Sequence, residues 1–206
     1  MIKYFNPKWY YQGKFSDEQV KRIDDLFSDW IEDDEKFGIP KDWQKLCRVT
    51  SSDRKQDLSP LWDEYLEILK PTQDEFLSQI DLKYDAEMVC DNIWCNKYVK
   101  GDFQEVHNHC HPDYNIAMVY FHRCNGSQFH FFDATWTENR TSGLDLIMNV
   151  PGKEVLQLEV EQGDVVLFPT HYPHFVSPNM DDDIRITFAG NFKMRRKHVP
   201  MNELLQ

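Results

Sequence analysis

The sequence predicts an α+β protein with a mainly β core, an antiparallel sandwich or barrel with N-terminal helices packed on one outer face. Two observations carry that expectation. Apolar residues recur at helical spacing through the first ninety residues, then from about residue 88 fall into short aromatic or β-branched runs. Turn signals separate those runs closely, at Gly101-Asp102, Asn125-Gly126, Gly163-Asp164 and Ser177-Pro178-Asn179, without the helical spacers that a parallel βαβ sheet needs. At 206 residues, 41% hydrophobic and 14% aromatic, the chain can bury a full core without disulfide or zinc staples. We read residues 1–206 as a single domain, with 1–87 the helical portion and 88–195 the β core.

The helices come first. Ser16-Asp17-Glu18-Gln19 is a capping-box pattern, and Val20, Ile23, Leu26, Phe27, Trp30 and Ile31 follow on one stripe. Gly38 and Pro40 are expected to end that helix. Ser59 and Pro60 offer an N-cap and a first helical position, with Leu61, Tyr65, Leu66 and Leu69 as the apolar stripe. Pro71 is expected to break this helix, and Thr72-Gln73-Asp74-Glu75 to start another over Phe76, Leu77 and Ile80. The expected strands are Met88 to Tyr98, Ile116 to Phe121, Gln128 to Phe132, Leu156 to Val160, Val165 to Phe168 and Ile184 to Phe188.

Charge and cysteine usage narrow the partners. With 23 Lys and Arg against 35 Asp and Glu, the net charge of -12 repels phosphate backbones and argues against a nucleic-acid polymer as partner. The dense basic cluster Lys193, Arg195, Arg196 and Lys197 reads as a solvated tail. No apolar run approaches the roughly 18 to 20 residues of a membrane span, so no membrane partner is expected. Met1 to Trp9 lacks an apolar signal core, and the 5 cysteines form no disulfide framework; a cytoplasmic location is expected. Cys110 sits between two histidines, either as a small buried residue or as a soft metal ligand.

Five of the 8 histidines fall in two clusters, Val106-His107-Asn108-His109-Cys110-His111-Pro112-Asp113 and His171-Tyr172-Pro173-His174. On a strand, residues i and i+2 share a face about 6.5 Å apart, and two imidazoles so placed can converge on one metal ion. A third ligand must come from elsewhere in the fold, and His174 is the evident donor. The near pair is His107 with His109, or His109 with His111, or the literal His-x-Asp of His111 and Asp113. Strand parity alone does not choose among them, because all four positions lie on one face of an extended strand.

Eleven residues beyond His174 stands Arg185, in the alternating run Ile184-Arg185-Ile186-Thr187-Phe188. If the isoleucines face the packing layer behind, Arg185 and Thr187 face the barrel interior, where a guanidinium needs an anion. A guanidinium fork beside a hydroxyl suits a carboxylate bound through both oxygens. The competing reading is an edge-strand arginine paired with one of Asp181 to Asp183.

Together these residues resemble the iron(II)- and 2-oxoglutarate-dependent oxygenase superfamily, in particular a phage- and bacteria-associated group within it. The resemblance runs from about Asn92 to Phe192 and rests on Trp94-Cys95-Asn96, Gly101-Asp102-Phe103-Gln104 leading to His107-Asn108-His109, Val119-Tyr120-Phe121, Gly163 to Pro169, His174, and Arg185-Ile186-Thr187. It implies a double-stranded β-helix, the jelly roll of cupin-like proteins, holding one Fe(II). It favours His107 and His109 as the near ligands, with His174 as the distal one and His111 and Asp113 as alternatives. It also implies that 2-oxoglutarate meets Arg185 and Thr187 through its far carboxylate, with Tyr120 a further pocket residue. At one point the pattern departs from the wider superfamily, which reads His-x-Asp or His-x-Glu where this chain reads His107-Asn108-His109. Asp113 supplies the carboxylate if its loop turns back.

The activity implied is hydroxylation of a substrate C–H bond with O2, releasing succinate and CO2. Phe129, Phe131 and Trp136 are candidates to wall the substrate entrance, with Asp133 to Ser142 as a lid. Two other classes share the barrel: a three-histidine iron dioxygenase or isomerase that does not use 2-oxoglutarate, and a jelly-roll binding module without metal.

Overall fold

The structure, a computed structural model, describes residues 8–33, 35, 37–38, 50–52, 60–124, 126, 128–148 and 152–197. Helix α1 spans Asp17–Glu32, and Ser16 caps it as the sequence predicts: its hydroxyl accepts from the Gln19 N–H at 3.3 Å, while Gln19 Oε1 accepts from the Ser16 N–H at 3.0 Å. The helix stops at Asp33, earlier than the expected stop at Gly38 and Pro40. The apolar stripe ends at Ile31, and the acidic residues that follow are unfavourable at the negative end of the helix dipole. Gly38 lies instead in the two-residue strand β2, Phe37–Gly38, and Pro40 is outside the described residues.

Helix α2 is a single helix, Pro60–Gln79, where the sequence reading expects two helices broken at Pro71. Proline in a helix interior costs about 3 kcal/mol. Here one buried stripe continues past it: Trp62, Tyr65, Ile68 and Leu69 before the proline, Thr72, Gln73 and Phe76 after it. Pro71 itself is exposed, so its ring meets water and burial of that stripe holds the turns together. Leu61 and Leu66, expected on the buried stripe, are only half-buried at its margin. The Ser59 cap lies outside the described residues.

Among the described residues eleven strands form two antiparallel sheets. Besides β2, they are β1 (Tyr11–Lys14), β3 (Thr50–Ser52), β4 (Ala86–Tyr98), β5 (Gln104–His107), β6 (Ile116–Arg123), β7 (Phe129–Phe132), β8 (Val155–Gln157), β9 (Asp164–Pro169), β10 (His174–Val176) and β11 (Arg185–Arg196). The larger sheet runs β1-β9-β6-β11-β4-β3-β2 and the smaller β5-β10-β7-β8. Strands β1 to β3 fall within the stretch read as helical, and they extend the edges of the larger sheet. β11 carries Lys193, Arg195 and Arg196 on its far end rather than on a loose tail; Arg195 pairs with Glu87 at 2.8 Å and Arg196 lies over the Tyr84 ring. The alternating run Leu156 to Val160 is strand only through Gln157, though Leu158 and Val160 are buried.

Strand alternation makes three layers. Ile116, Met118 and Tyr120 of β6, Val165 and Leu167 of β9, and Ile186 and Phe188 of β11 pack under Ile23, Phe27 and Ile31 of α1 and the buried stripe of α2. Phe188 sits at the centre, its ring centroid 4.9 Å from Phe27 and 5.3 Å from Tyr65. The intervening residues, including Ala117, Val119, Phe121, Val166, Phe168 and Ala189, face the smaller sheet. Central strands are therefore apolar on both faces, which explains the unbroken run Val165 to Phe168. The turn into β5 needs a left-handed residue, and Gly101 supplies it at φ 86°, its N–H donating to the Asn179 carbonyl.

His122 follows on β6 and is fully buried beneath α1, with Asp24 Oδ1 3.2 Å from its Nε2. Burial pushes its pKa down to about 4, outweighing the pull of Asp24. A folded pKa below the unfolded value of 6.5 means that the unfolded chain binds the proton first. The stability from neutral His122 is complete above about pH 6.5 and is lost as pH falls toward 4. Between pH 7.5 and 5 the wild type is expected to lose about 2 kcal/mol more than His122→Phe, read from urea midpoints. Equal slopes in the two proteins would refute this.

Candidate metal centre

The two sheets close on a narrow cavity of about 20 Å³, its lining including Trp94, Asn96 and Tyr98 of β4, Gln104 and His107 of β5, His109, Phe129, His174, and Arg185 and Thr187 of β11. Each ligand candidate arrives by a different local device. His107 ends β5, and the register sets it directly across from His174, the first residue of β10. A bulge between these strands inserts one extra residue, since Gln104 pairs with Val176. That shift of parity lets Gln104 and His107, an odd number apart, both reach the cavity. His109 lies beyond the strand, held where its N–H donates to the Thr170 carbonyl at 2.8 Å.

The ligand atoms of His107, His109 and His174 all lie within 4.8 Å of one another, and ring centroids are 4.2 to 5.2 Å apart. Every Nδ1 faces an oxygen: Glu105 O at 2.8 Å from His107, Asn191 Oδ1 at 2.7 Å from His109, and Tyr172 O at 2.9 Å from His174. A carbonyl oxygen only accepts, so Nδ1 carries the proton and Nε2 keeps the lone pair that a metal needs. Burial, reinforced by the two neighbouring rings, holds His174 well below the usual histidine range and hence neutral. Three neutral imidazoles with inward lone pairs fit a divalent cation.

Arg185 occupies the same cavity. Its guanidinium lies 4.2 Å over the Tyr98 ring, and its Nη1 donates to Gln128 Oε1. Nε and Nη2 are buried with no hydrogen-bond partner among the described residues. Burial lowers its pKa from the usual arginine value, and Tyr98 opposes that shift. The pairing with Asp181 to Asp183 does not form; Asp182 pairs with Lys100 at 2.8 Å. Thr187, two residues on, faces the same cavity, and its Oγ1 accepts from Asn96 Nδ2 at 3.4 Å. A buried guanidinium with no anionic partner among the described residues, and with Nε and Nη2 left over, fits an anion supplied from outside the chain.

Other candidates lie elsewhere. His111 and Asp113 contact each other at 3.4 Å in an exposed turn and do not join the three histidines, because the extended strand ends at His107. Tyr120 faces the helices, its hydroxyl 3.2 Å from His122 Nδ1; parity turns its neighbours Val119 and Phe121 to the cavity instead. Cys110 is exposed and outside the cluster. Phe129 lines the cavity, whereas Phe131 lines a separate aromatic groove with Trp9, Tyr10 and Tyr172. Asp133 to Ser142, expected as a lid, forms helix α3 (Ala134–Thr141) capped by Asp133. Sequence reasoning missed Tyr98, Gln104, Gln128 and Asn191. The period-two run Trp94-x-Asn96-x-Tyr98 held a signal for the first; a bulge and long-range contacts place the others.

Residues 92–191 match the model of a family described as "Putative 2OG-Fe(II) oxygenase". The barrel is a 2OG-Fe(II) oxygenase domain. Solved structures resemble the oxygenase throughout. An oxidoreductase of the 2OG-Fe(II) oxygenase family from Burkholderia pseudomallei is 15% identical at TM-score 0.60, over 89% of this chain and 84% of that one. A prolyl-4-hydroxylase from Pseudomonas putida is 17% identical at TM-score 0.59, over 92% and 94%. HygX from Streptomyces hygroscopicus, with nickel and 2-oxoglutarate bound, is 11% identical at TM-score 0.59, over 90% and 83%. At such identities the likeness establishes the fold, a double-stranded β-helix. No curated protein matches the chain. The oxygenase uses Fe(II), 2-oxoglutarate and O2. Among the described residues no helix is long and apolar enough to cross a membrane.

Proposed function

We propose that His107, His109 and His174 hold the Fe(II), that Arg185 and Thr187 hold the far carboxylate of 2-oxoglutarate, and that the enzyme hydroxylates a C–H bond of its substrate. The observation that carries this reading is the pair of guanidinium nitrogens, Nε and Nη2 of Arg185, without a hydrogen-bond partner among the described residues, in the cavity that also collects the three imidazoles. Iron with 2-oxoglutarate and O2 supplies the oxidising chemistry, consuming the cosubstrate to succinate and CO2. The chain's own residues orient and neutralise. Gln128 Oε1 is the group a cosubstrate carboxylate replaces on Arg185, and the Thr187 hydroxyl can donate to the same carboxylate. No protein carboxylate joins the three imidazoles among the described residues, so negative charge beside the ion would come from the keto-acid end of 2-oxoglutarate. Val119, Phe121 and Phe129 line the cavity with apolar surface that limits water.

We also read the helices and barrel as one domain, supported by the shared core under α1 and α2, and place the enzyme in the cytoplasm, supported by its free cysteines. Trp94 lies 5.7 Å from His109, so its fluorescence reports occupancy of the centre. Anaerobic Fe(II) is expected to quench it stoichiometrically, and aerobic addition of 2-oxoglutarate to yield succinate that a chelator abolishes. Protein that takes up no iron, or iron-loaded protein that makes no succinate, refutes the assignment.

A further inference from the structure

We infer that Asn191, backed by Asn92, is a positioning residue for the metal centre, setting the tautomer and ring orientation of His109; this rests on the three-histidine reading above. His107 and His174 are oriented by main-chain carbonyls, Glu105 O and Tyr172 O. His109 stands outside any strand, and a side chain orients it: its Nδ1 lies 2.7 Å from Asn191 Oδ1. The direction of that bond is settled one step further back. Asn191 Nδ2 donates to Asn92 Oδ1 at 2.8 Å, so the amide oxygen is the atom turned to His109 and the imidazole must donate.

The backbone brings the two amides together, at the last pair before the β11–β4 register shifts. Asn191 and Asn92 are directly opposed in the β11–β4 register, and Asn191 is 3% exposed. Gly190 leaves room beside Asn92, since a Cβ there would stand 3.2 Å from Asn92 O. Asn191 follows Arg185, Thr187 and Ala189 at even spacing, so one face of one strand carries the proposed cosubstrate anchor at one end and the orienting amide at the other. A neutral amide fixes the ring without adding negative charge, unlike a carboxylate partner.

The test uses the full chain and two readouts. In metal-free wild type, nitrogen NMR of the imidazoles is expected to show His109 as the Nδ1–H tautomer. Asn191→Leu removes the acceptor and is expected to weaken Co(II) or Fe(II) binding about 10- to 100-fold, with His109 losing that tautomer signature. Asn191→Asp keeps an acceptor, the Asn92 amide turning to donate, and is expected to bind within about threefold of wild type. An Nε2–H tautomer in wild type overturns the inference even if Asn191→Leu fails to fold. Wild-type affinity in folded Asn191→Leu, or equal losses in both variants, overturns it too. Wild type that binds no metal overturns instead the three-histidine reading.

Discussion

Arg185→Ala is expected to raise the 2-oxoglutarate concentration needed for half-maximal succinate formation by about 30- to 4,000-fold while Fe(II) uptake stays at the wild-type level. The range follows from the about 2–5 kcal/mol lost when one partner of a buried, hydrogen-bonded charge pair is removed. Burial is what makes the effect large: Arg185 is 4% exposed, with Nε and Nη2 awaiting an acceptor. Arg185→Lys keeps a positive charge but not the planar fork, and should fall between. Thr187→Val removes one hydrogen bond to a carboxylate, about 1.5–3 kcal/mol, and should cost about 13- to 160-fold. Titration of iron-loaded protein with 2-oxoglutarate separates binding from turnover. Wild-type affinity in Arg185→Ala would place the cosubstrate elsewhere.

The second large effect is at His174. Loss of an outer-shell partner weakens a metal site about 10- to 100-fold, and loss of one of three direct ligands must exceed that. His174→Ala is therefore expected to bind Fe(II) more than about 100-fold more weakly, measured by quenching of Trp94. The ring also packs against Phe168 at 4.9 Å and Phe129 at 5.5 Å, so alanine leaves a void. His174→Leu fills that space and isolates the ligand effect. Retention of wild-type iron affinity in the leucine variant would exclude His174 from the centre.

Much of this arrangement was legible before any coordinates. The capping box at Ser16, the alternation through Ile184 to Phe188 and the two histidine clusters each depend on residues a few positions apart, where strand and helix geometry dictate what shares a face. The errors have equally local causes. Pro71 reads as a break because a helix in isolation cannot offset its cost, and only the sheet beneath α2 does so. Tyr120 reads as a pocket residue because parity along β6 is known from sequence but not which parity faces inward. Gln128 and Asn191 carry no motif, as each acts through a partner more than fifty residues away.

The amino-acid order by itself determined the class of chemistry: imidazoles in His107-x-His109 and at His174, a buried-type arginine eleven residues later, and a β framework to hold them. It left the near ligands open among four residues, since an ideal strand presents them all alike. Tertiary structure decided which of them come together with His174. β5 ends at His107 and pairs it with His174, while Thr170 and Asn191 hold His109 against them and leave His111 and Asp113 in water. The reason is one of range: periodicity constrains neighbours along the chain, whereas convergence on one ion depends on strand register and bulges that only the packed sheets define.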